Sequence, residues 1–194
     1  MNKKSLLLAF MAFVMLIGLN SCGYNTMVEK EEAVGAAWSQ VENVYQRRTD
    51  LIPNLVSTVK GYAAHESKTF ENVVEARAKA TQVTVDASNL NPEQIKKFQE
   101  AQGELSATLG RLLAVTENYP ELKANENFLQ LQAQLEGTEN RITVERKKFN
   151  ETAQDYNTYI RKFPQNLVAM IFSFEKKGYF EAEEGAEKAP VVEF

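Results

Sequence analysis

One cysteine, Cys22, and one histidine, His65, are all this sequence offers in thiol ligands and near-neutral proton carriers. A thiol can serve as a nucleophile, a metal ligand or an acylation site. Cys22 closes the run Leu19-Asn20-Ser21-Cys22 behind an apolar stretch, and that setting points to acylation. Leu three positions before a Cys, with small or polar residues between, is the pattern of a bacterial lipobox. There diacylglycerol is attached to the thiol and the peptide is cut just before it. A lone Cys cannot form an internal disulfide, so in an exported chain it needs another reason to be present. His65 by itself cannot build a His-based metal site or proton shuttle; near a helix C-terminus it complements the dipole. The acid pairs Glu31-Glu32 and Glu183-Glu184 are adjacent, and adjacent helical residues do not face each other. They read as solvated charge. No Gly-rich phosphate loop and no Ser nucleophile elbow occurs. The chemistry-bearing residues therefore argue against an enzyme and imply no cofactor and no metal.

The elements around Cys22 explain its role. Lys3 and Lys4 form a positive n-region, and Leu6 to Leu19 is an uninterrupted apolar run of 14 residues. A bilayer-spanning helix needs about 20, so the run reads as the h-region of a signal peptide. The alternative is a short anchor that is never cleaved, with Cys22 incidental. Two or three acyl chains on one residue meet the two-signal requirement for stable anchoring. Gly23, rather than Asp, follows Cys22, which resembles the default for outer-membrane sorting in Gram-negative cells. The expected divisions are a signal peptide over 1–21, an acylated tether over 22–26, a helical domain over 27–163, an apolar segment over 164–180 and a disordered acidic tail over 181–194. Losing Lys3 and Lys4 would take the net charge from −4 to about −6. An acidic chain without a Lys/Arg cluster excludes nucleic acid as a natural partner and gives little electrostatic attachment to anionic lipid.

Hydrophobic residues make up 44% of the chain, and Gly (9) and Pro (5) are scarce, which favours helix. From Val34 the apolar positions recur at 4-3 spacing: Val34, Trp38, Val41, Tyr45, then Arg48, then Ile52, Leu55, Val59, Tyr62. This seam predicts a first helix over 27–64, kinked or loosened at Pro53. A second helix is expected over 67–85. The third opens with Asn91 as N-cap, Pro92 at the first helical position and Gln94 closing a capping box. Its seam is Ile95, Phe98, Gln102, Leu105, Leu109, Leu112, Thr116, Tyr119. The fourth begins between Pro120 and Asn125, runs to about Lys162, and stops at Phe163-Pro164. Trp38, Tyr45, Tyr62, Phe149 and Tyr156 are core positions by spacing. The expected fold is all-α, an antiparallel four-helix bundle with long first and fourth helices.

Laying those two long helices antiparallel places Arg48 opposite position 141 and Asp50 opposite Glu139. Both seams break there. Arg47 or Arg48 could pair with Glu139 or Glu145, and Asp50 with Arg141, with Asn54 nearby, giving a mid-bundle polar layer. Such layers more often fix helix register than perform chemistry. The same topology returns the apolar stretch 167–174, with Leu167, Met170, Ile171, Phe172 and Phe174, to the lipid-bearing side. It is expected to cap the bundle against Val34 and Trp38, or to dip into the lipid interface or receive a partner helix.

Residues 47–61 (Arg-Arg-Thr-Asp-Leu-Ile-Pro-Asn-Leu-Val-Ser-Thr-Val-Lys-Gly) followed by Tyr62-Ala63-Ala64-His65-Glu66 resemble the signature of LemA family proteins. So do Ala76-Arg77, Asn118 to Ala124, Thr138 to Ile142, and Tyr156-Asn157 through Phe163-Pro164. The match runs over about 28–180 in the same order and spacing. The resemblance implies a helical bundle outside the cytoplasm with a membrane-attached N-terminus and no established enzymatic activity. It implies a protein partner, such as a membrane protease system, more readily than a substrate. Many members keep an uncleaved membrane helix where this chain has a lipobox, and many have Phe-Gly-Phe where it has Phe172-Ser173-Phe174. The sequence thus reads as a lipid-tethered scaffold or adaptor of the cell envelope. The alternative is a peptide- or small-ligand-binding module using a groove near Pro53 and the polar layer. An envelope hydrolase ranks well behind both, and the oligomeric state is left open.

Overall fold

The computed structural model describes the backbone over residues 3–181 and side chains from residue 23 onward. The side chain of Cys22 and the expected acidic tail beyond Glu181 lie outside the described residues. The fold is all-α, with no strand among the described residues. Its helices are α1 (Lys3–Lys60), α2 (Ser67–Gln82), α3 (Pro92–Thr116), α4 (Pro120–Lys123), α5 (Glu126–Arg161) and α6 (Gln165–Ile171). The chain folds as two compact units. Among the described residues, the first comprises the chain up to Val44 with Arg141–Lys177, and the second Tyr45–Asn140 with residues 178–181.

The second unit is built on the heptad seam of α1. Ile52, Leu55 and Val59 are fully buried with Phe70, Val73 and Ala76 of α2, Leu105, Leu109 and Leu112 of α3, and Phe128 and Leu135 of α5. Burying each large apolar side chain contributes about 1.5–3 kcal/mol, so a continuous stripe along α1 suffices to order the helices around it. α3 starts where expected: Asn91 Oδ1 accepts from the Gln94 amide at 2.9 Å, with Pro92 following. The reciprocal half of the capping box is absent, since Gln94 Oε1 is buried without a partner. At the start of α5, Asn125 Oδ1 accepts from the Phe128 amide at 3.0 Å.

Pro53 does not end α1. Proline lacks an N–H, so the carbonyl four residues earlier loses its helical donor. That carbonyl belongs to Thr49, which is buried, and Nε of Arg77 on α2 donates to it at 3.0 Å. A second helix thus supplies the bond that proline withholds.

α1 begins at Lys3 rather than at 27 and runs without a break through the expected tether over 22–26, and other helix ends also differ from the sequence reading. α1 stops at Lys60 rather than 64, where the Tyr62 and Ala63 amides both turn back to the Val59 carbonyl. Tyr62 consequently lies past the helix, is exposed rather than core, and its hydroxyl accepts from Asn125 Nδ2 at 3.0 Å. α2 stops at Gln82 because Val83 adopts an extended backbone; Val83, Thr84 and Val85 form a β-branched run that resists helix. The expected fourth helix is two pieces, the single turn α4 and the long α5, separated at Ala124 and Asn125.

In the first unit, Val34, Trp38 and Val41 of α1 are buried with Ile142, Phe149, Ala153 and Tyr156 of α5. Trp38 and Phe149 meet edge to face at 5.4 Å, an arrangement that adds to area burial. α6 buries Val168 and Ala169. It closes with the Phe174 amide donating to the Ala169 carbonyl at 2.9 Å and Ser173 at φ 59°. This is a Schellman end, with Ser in the left-handed position that usually holds Gly.

Candidate functional site

Among the described residues, Arg48 is the largest charged side chain sealed inside the protein, at 1% exposure. α1 turns it inward because it occupies a seam position between Tyr45 and Ile52. Its Nη1 donates to Glu139 Oε1 of α5 at 2.8 Å and to Ser106 Oγ of α3 at 2.6 Å. Its Nη2 donates to the side-chain oxygen of Gln102 at 2.5 Å and to the Gln102 carbonyl at 3.2 Å. The guanidinium lies over the Tyr45 ring at 5.0 Å, a cation–π contact. Gln102 in turn donates to the Ala80 carbonyl in the last turn of α2 at 3.3 Å. One hydrogen-bonded layer therefore joins α1, α2, α3 and α5. Nε of Arg48 is buried without a partner. Burying a guanidinium is costly unless its donors are matched, and four donor contacts to two neighbouring helices supply the match.

Of the residues predicted for this layer, Arg48 and Glu139 come together, two residues from the expected facing position. Arg47, Asp50, Asn54 and Arg141 are exposed. Asp50 accepts from Gln46 on its own helix at 3.4 Å, and Glu145 pairs with Lys148 on its own helix at 2.8 Å. The reading of the sequence missed Gln102 and Ser106. Gln102 carried a signal, being a polar residue at an apolar seam position of α3. Ser106 carried none.

Beside the layer, α3 and α5 border an open groove of about 590 Å³ lined by Ser106, Leu109, Leu113, Leu135 and Glu139. A second hollow of about 510 Å³ shares Gly110, Leu113 and Gln132 with it and reaches Phe128 and Lys123. Pro53 is not among the residues lining either. Among the described residues, no three His, Cys, Asp or Glu side chains gather into a metal-sized cluster. His65 is exposed past the end of α1.

A second polar cluster sits in the first unit. Lys177 is buried, and its Nζ donates to Glu31 Oε1 at 2.6 Å and lies 5.6 Å from the Tyr156 ring centre. The Asn157 side-chain amide brackets the Lys177 backbone, donating to its carbonyl and accepting from its amide, both at 2.9 Å. Burial, reinforced by the charge of Glu31, pushes the Tyr156 phenol well up. Within the second unit, Gln99 holds the Glu181 backbone in the same two-sided way, at 3.0 and 3.1 Å. The Gly178 amide donates to the Leu90 carbonyl at 2.8 Å.

The predicted apolar segment divides. Val168 and Ala169 are buried, whereas Leu167, Met170, Ile171 and Phe172 are exposed and Phe174 is half-buried. Phe172 and Phe174 pack on Tyr24, with ring centres at 4.8 and 5.6 Å. Among the described residues, no helix is long and apolar enough to cross a membrane.

The chain as a whole is similar to known proteins. Residues 37–194 match the model of the LemA family. Magnetosome protein MamQ 2 of Paramagnetospirillum magneticum is 30% identical over 190 aligned positions, covering 87% of this chain and 68% of the relative. MamQ of Magnetospirillum gryphiswaldense aligns with the same identity and coverage. Protein LemA of Metamycoplasma hominis is 24% identical over 176 positions, covering 89% of this chain and 77% of the relative. The layer around Arg48 and the clamp on Lys177 are thus features of a chain that belongs to the LemA family.

Proposed function

We propose that this protein is a non-catalytic, lipid-tethered helical adaptor of the cell envelope, anchored through Cys22 and holding another envelope protein. The observation that carries this reading is where the buried polar groups are engaged. Arg48, Gln102, Lys177 and Asn157 bond to neighbouring helices and backbone, which fixes register and is not the arrangement of a nucleophile beside a base. The fold behind the role is read as the antiparallel four-helix bundle, supported by the contacts of Arg48 to α3 and α5 and of Gln102 to α2. Relatives named as magnetosome proteins support a place at a membrane. The favoured location is the cell envelope outside the cytoplasm, which in a Gram-negative cell would be the outer membrane. A membrane protease system is one partner of the right kind.

Photo-crosslinking in whole cells from sites along α3 and α5, followed by mass spectrometry, tests the adaptor role. One reproducible protein adduct is expected. A purified chain carrying a stoichiometric small molecule and giving no protein adduct would instead favour a ligand-binding module. The groove beside Glu139 is the observation that keeps this second reading in play. Cys22→Ala tests the anchor: a soluble chain or an uncleaved precursor is expected, and a membrane-bound mutant of unchanged mass refutes the lipid tether.

A further inference from the structure

The largest solvent-exposed apolar side chains of the first unit gather on α6 and its flanks. Phe163 is 81% exposed, Met170 73%, Ile171 70%, Phe172 58% and Leu167 47%. Leu167, Met170 and Ile171 recur at i, i+3 and i+4, one face of α6, while Val168 and Ala169 hold the helix to the protein. Soluble surfaces rarely leave so many large apolar groups together without an occupant.

Two observations say what the occupant is. Tyr24 packs directly on Phe172 and Phe174, so the patch begins two residues after Cys22 in the chain. Cys22 is the residue read above as the membrane anchor. The surroundings also match an anionic bilayer surface. Arg161, Lys162 and Lys176 are exposed beside the apolar groups, against Glu175 as the acid in residues 158–176, in a chain whose net charge is −4. Apolar and aromatic groups rimmed by Lys and Arg form the pattern of interfacial helices, which sink to the headgroup–acyl boundary.

We infer that α6 with Phe163 and Phe172 is a second membrane contact, a monolayer-inserted patch that lies in the lipid interface. It rests on the membrane reading above but not on acylation as such. With two attachment points the protein is held in a fixed orientation on the bilayer.

The test uses the full-length chain in phosphatidylethanolamine/phosphatidylglycerol vesicles. Phe172→Trp introduces a reporter at a half-exposed position, while the native Trp38 is fully buried and gives the background. Flotation reports attachment, and brominated acyl chains report depth. The expected result is flotation with the emission of the introduced tryptophan at least halved by bromines near the headgroup, and the Trp38 emission unchanged. Flotation without quenching of the introduced reporter overturns the inference and leaves the tether standing; a protein adduct captured at the patch in cells would then assign that face to a partner. A Phe172→Trp chain that also carries Cys22→Ala and still floats with its reporter quenched supports the inference and removes the acyl tether. A full-length chain that does not associate with vesicles at all overturns both.

Discussion

Arg77 and Pro53 should be energetically coupled although neither is expected to touch the other's side chain. Proline deprives the Thr49 carbonyl of its donor, and Arg77 replaces it from α2 at 3.0 Å. A hydrogen bond from a charged donor contributes about 1.5–3 kcal/mol, and a buried carbonyl left alone costs about 1–3 kcal/mol. Thr49 is only 4% exposed, so water is a poor substitute. Arg77→Met keeps the aliphatic stem and removes the donor; a loss of about 2 kcal/mol is expected. In a Pro53→Ala background the new amide at position 53 can reach the Thr49 carbonyl within α1. There Arg77→Met should cost under about 0.5 kcal/mol. The double-mutant cycle therefore predicts a coupling of about 1.5 kcal/mol. Urea unfolding of the detergent-solubilised chain, followed by helical circular dichroism at constant m-value, measures all four corners. Changes that add to within about 0.5 kcal/mol would show that Arg77 has no proline-specific role.

Arg48→Met should destabilise by about 1–3 kcal/mol, because it leaves the buried Gln102 side-chain oxygen without its donor, whereas Arg47→Met on the solvated face should fall within about 0.5 kcal/mol; thermal unfolding separates them. Ser173→Gly should stabilise by about 1 kcal/mol, a rise of about 2–4 °C in Tm, since Ser occupies φ 59° at the end of α6. Gly178→Ala places a Cβ 2.7 Å from the Pro92 Cα, backbone that cannot swing aside. It should cost about 1–3 kcal/mol and speed amide exchange at Gly178 and Glu181. For Tyr156 the folded protein keeps a proton that the unfolded chain releases from about pH 10, so its share of stability is intact below that pH and is lost as pH rises beyond it. Tyr156→Phe should flatten the alkaline fall in urea midpoint, and an unchanged slope would contradict the burial argument.

Some of this was legible in the sequence because its causes are local. The 4-3 seam predicts which face of α1 is buried, and Asn91-Pro92 marks the start of α3. The pairing of Arg48 with Glu139 needed only two helix lengths and two seam breaks. The expected partner positions Asp50 and Arg141 face solvent because neither lies on its helix's apolar stripe, and a facing-position estimate does not distinguish stripe from rim. The end of α1 was overrun because Tyr62 keeps the heptad spacing after the backbone has already turned at Val59. The Asn157 clamp on Lys177 left no trace, since a side-chain amide gripping backbone outside regular secondary structure has no sequence spacing of its own. The bond from Arg77 to Thr49 could have been sought, because Pro53 names the carbonyl it orphans.

The segments by which the chain resembles its family are scattered from position 47 to 164, yet in space several complete one another. Pro53 creates a need at Thr49 that Arg77 meets. Arg48 requires an acid that the Thr138-Glu139 segment provides. Asn157, beside Tyr156, captures the backbone at Lys177. In each case a polar group is buried at a cost unless its partner is present, so changing one member alone also leaves the other unsatisfied. Such pairs enforce one register among the helices over the many that heptad seams alone would tolerate. A signature made of these pairs specifies how the helices meet. What the protein does must then be sought on surfaces that the pairs leave uncovered, the groove beside Glu139 and the apolar face of α6.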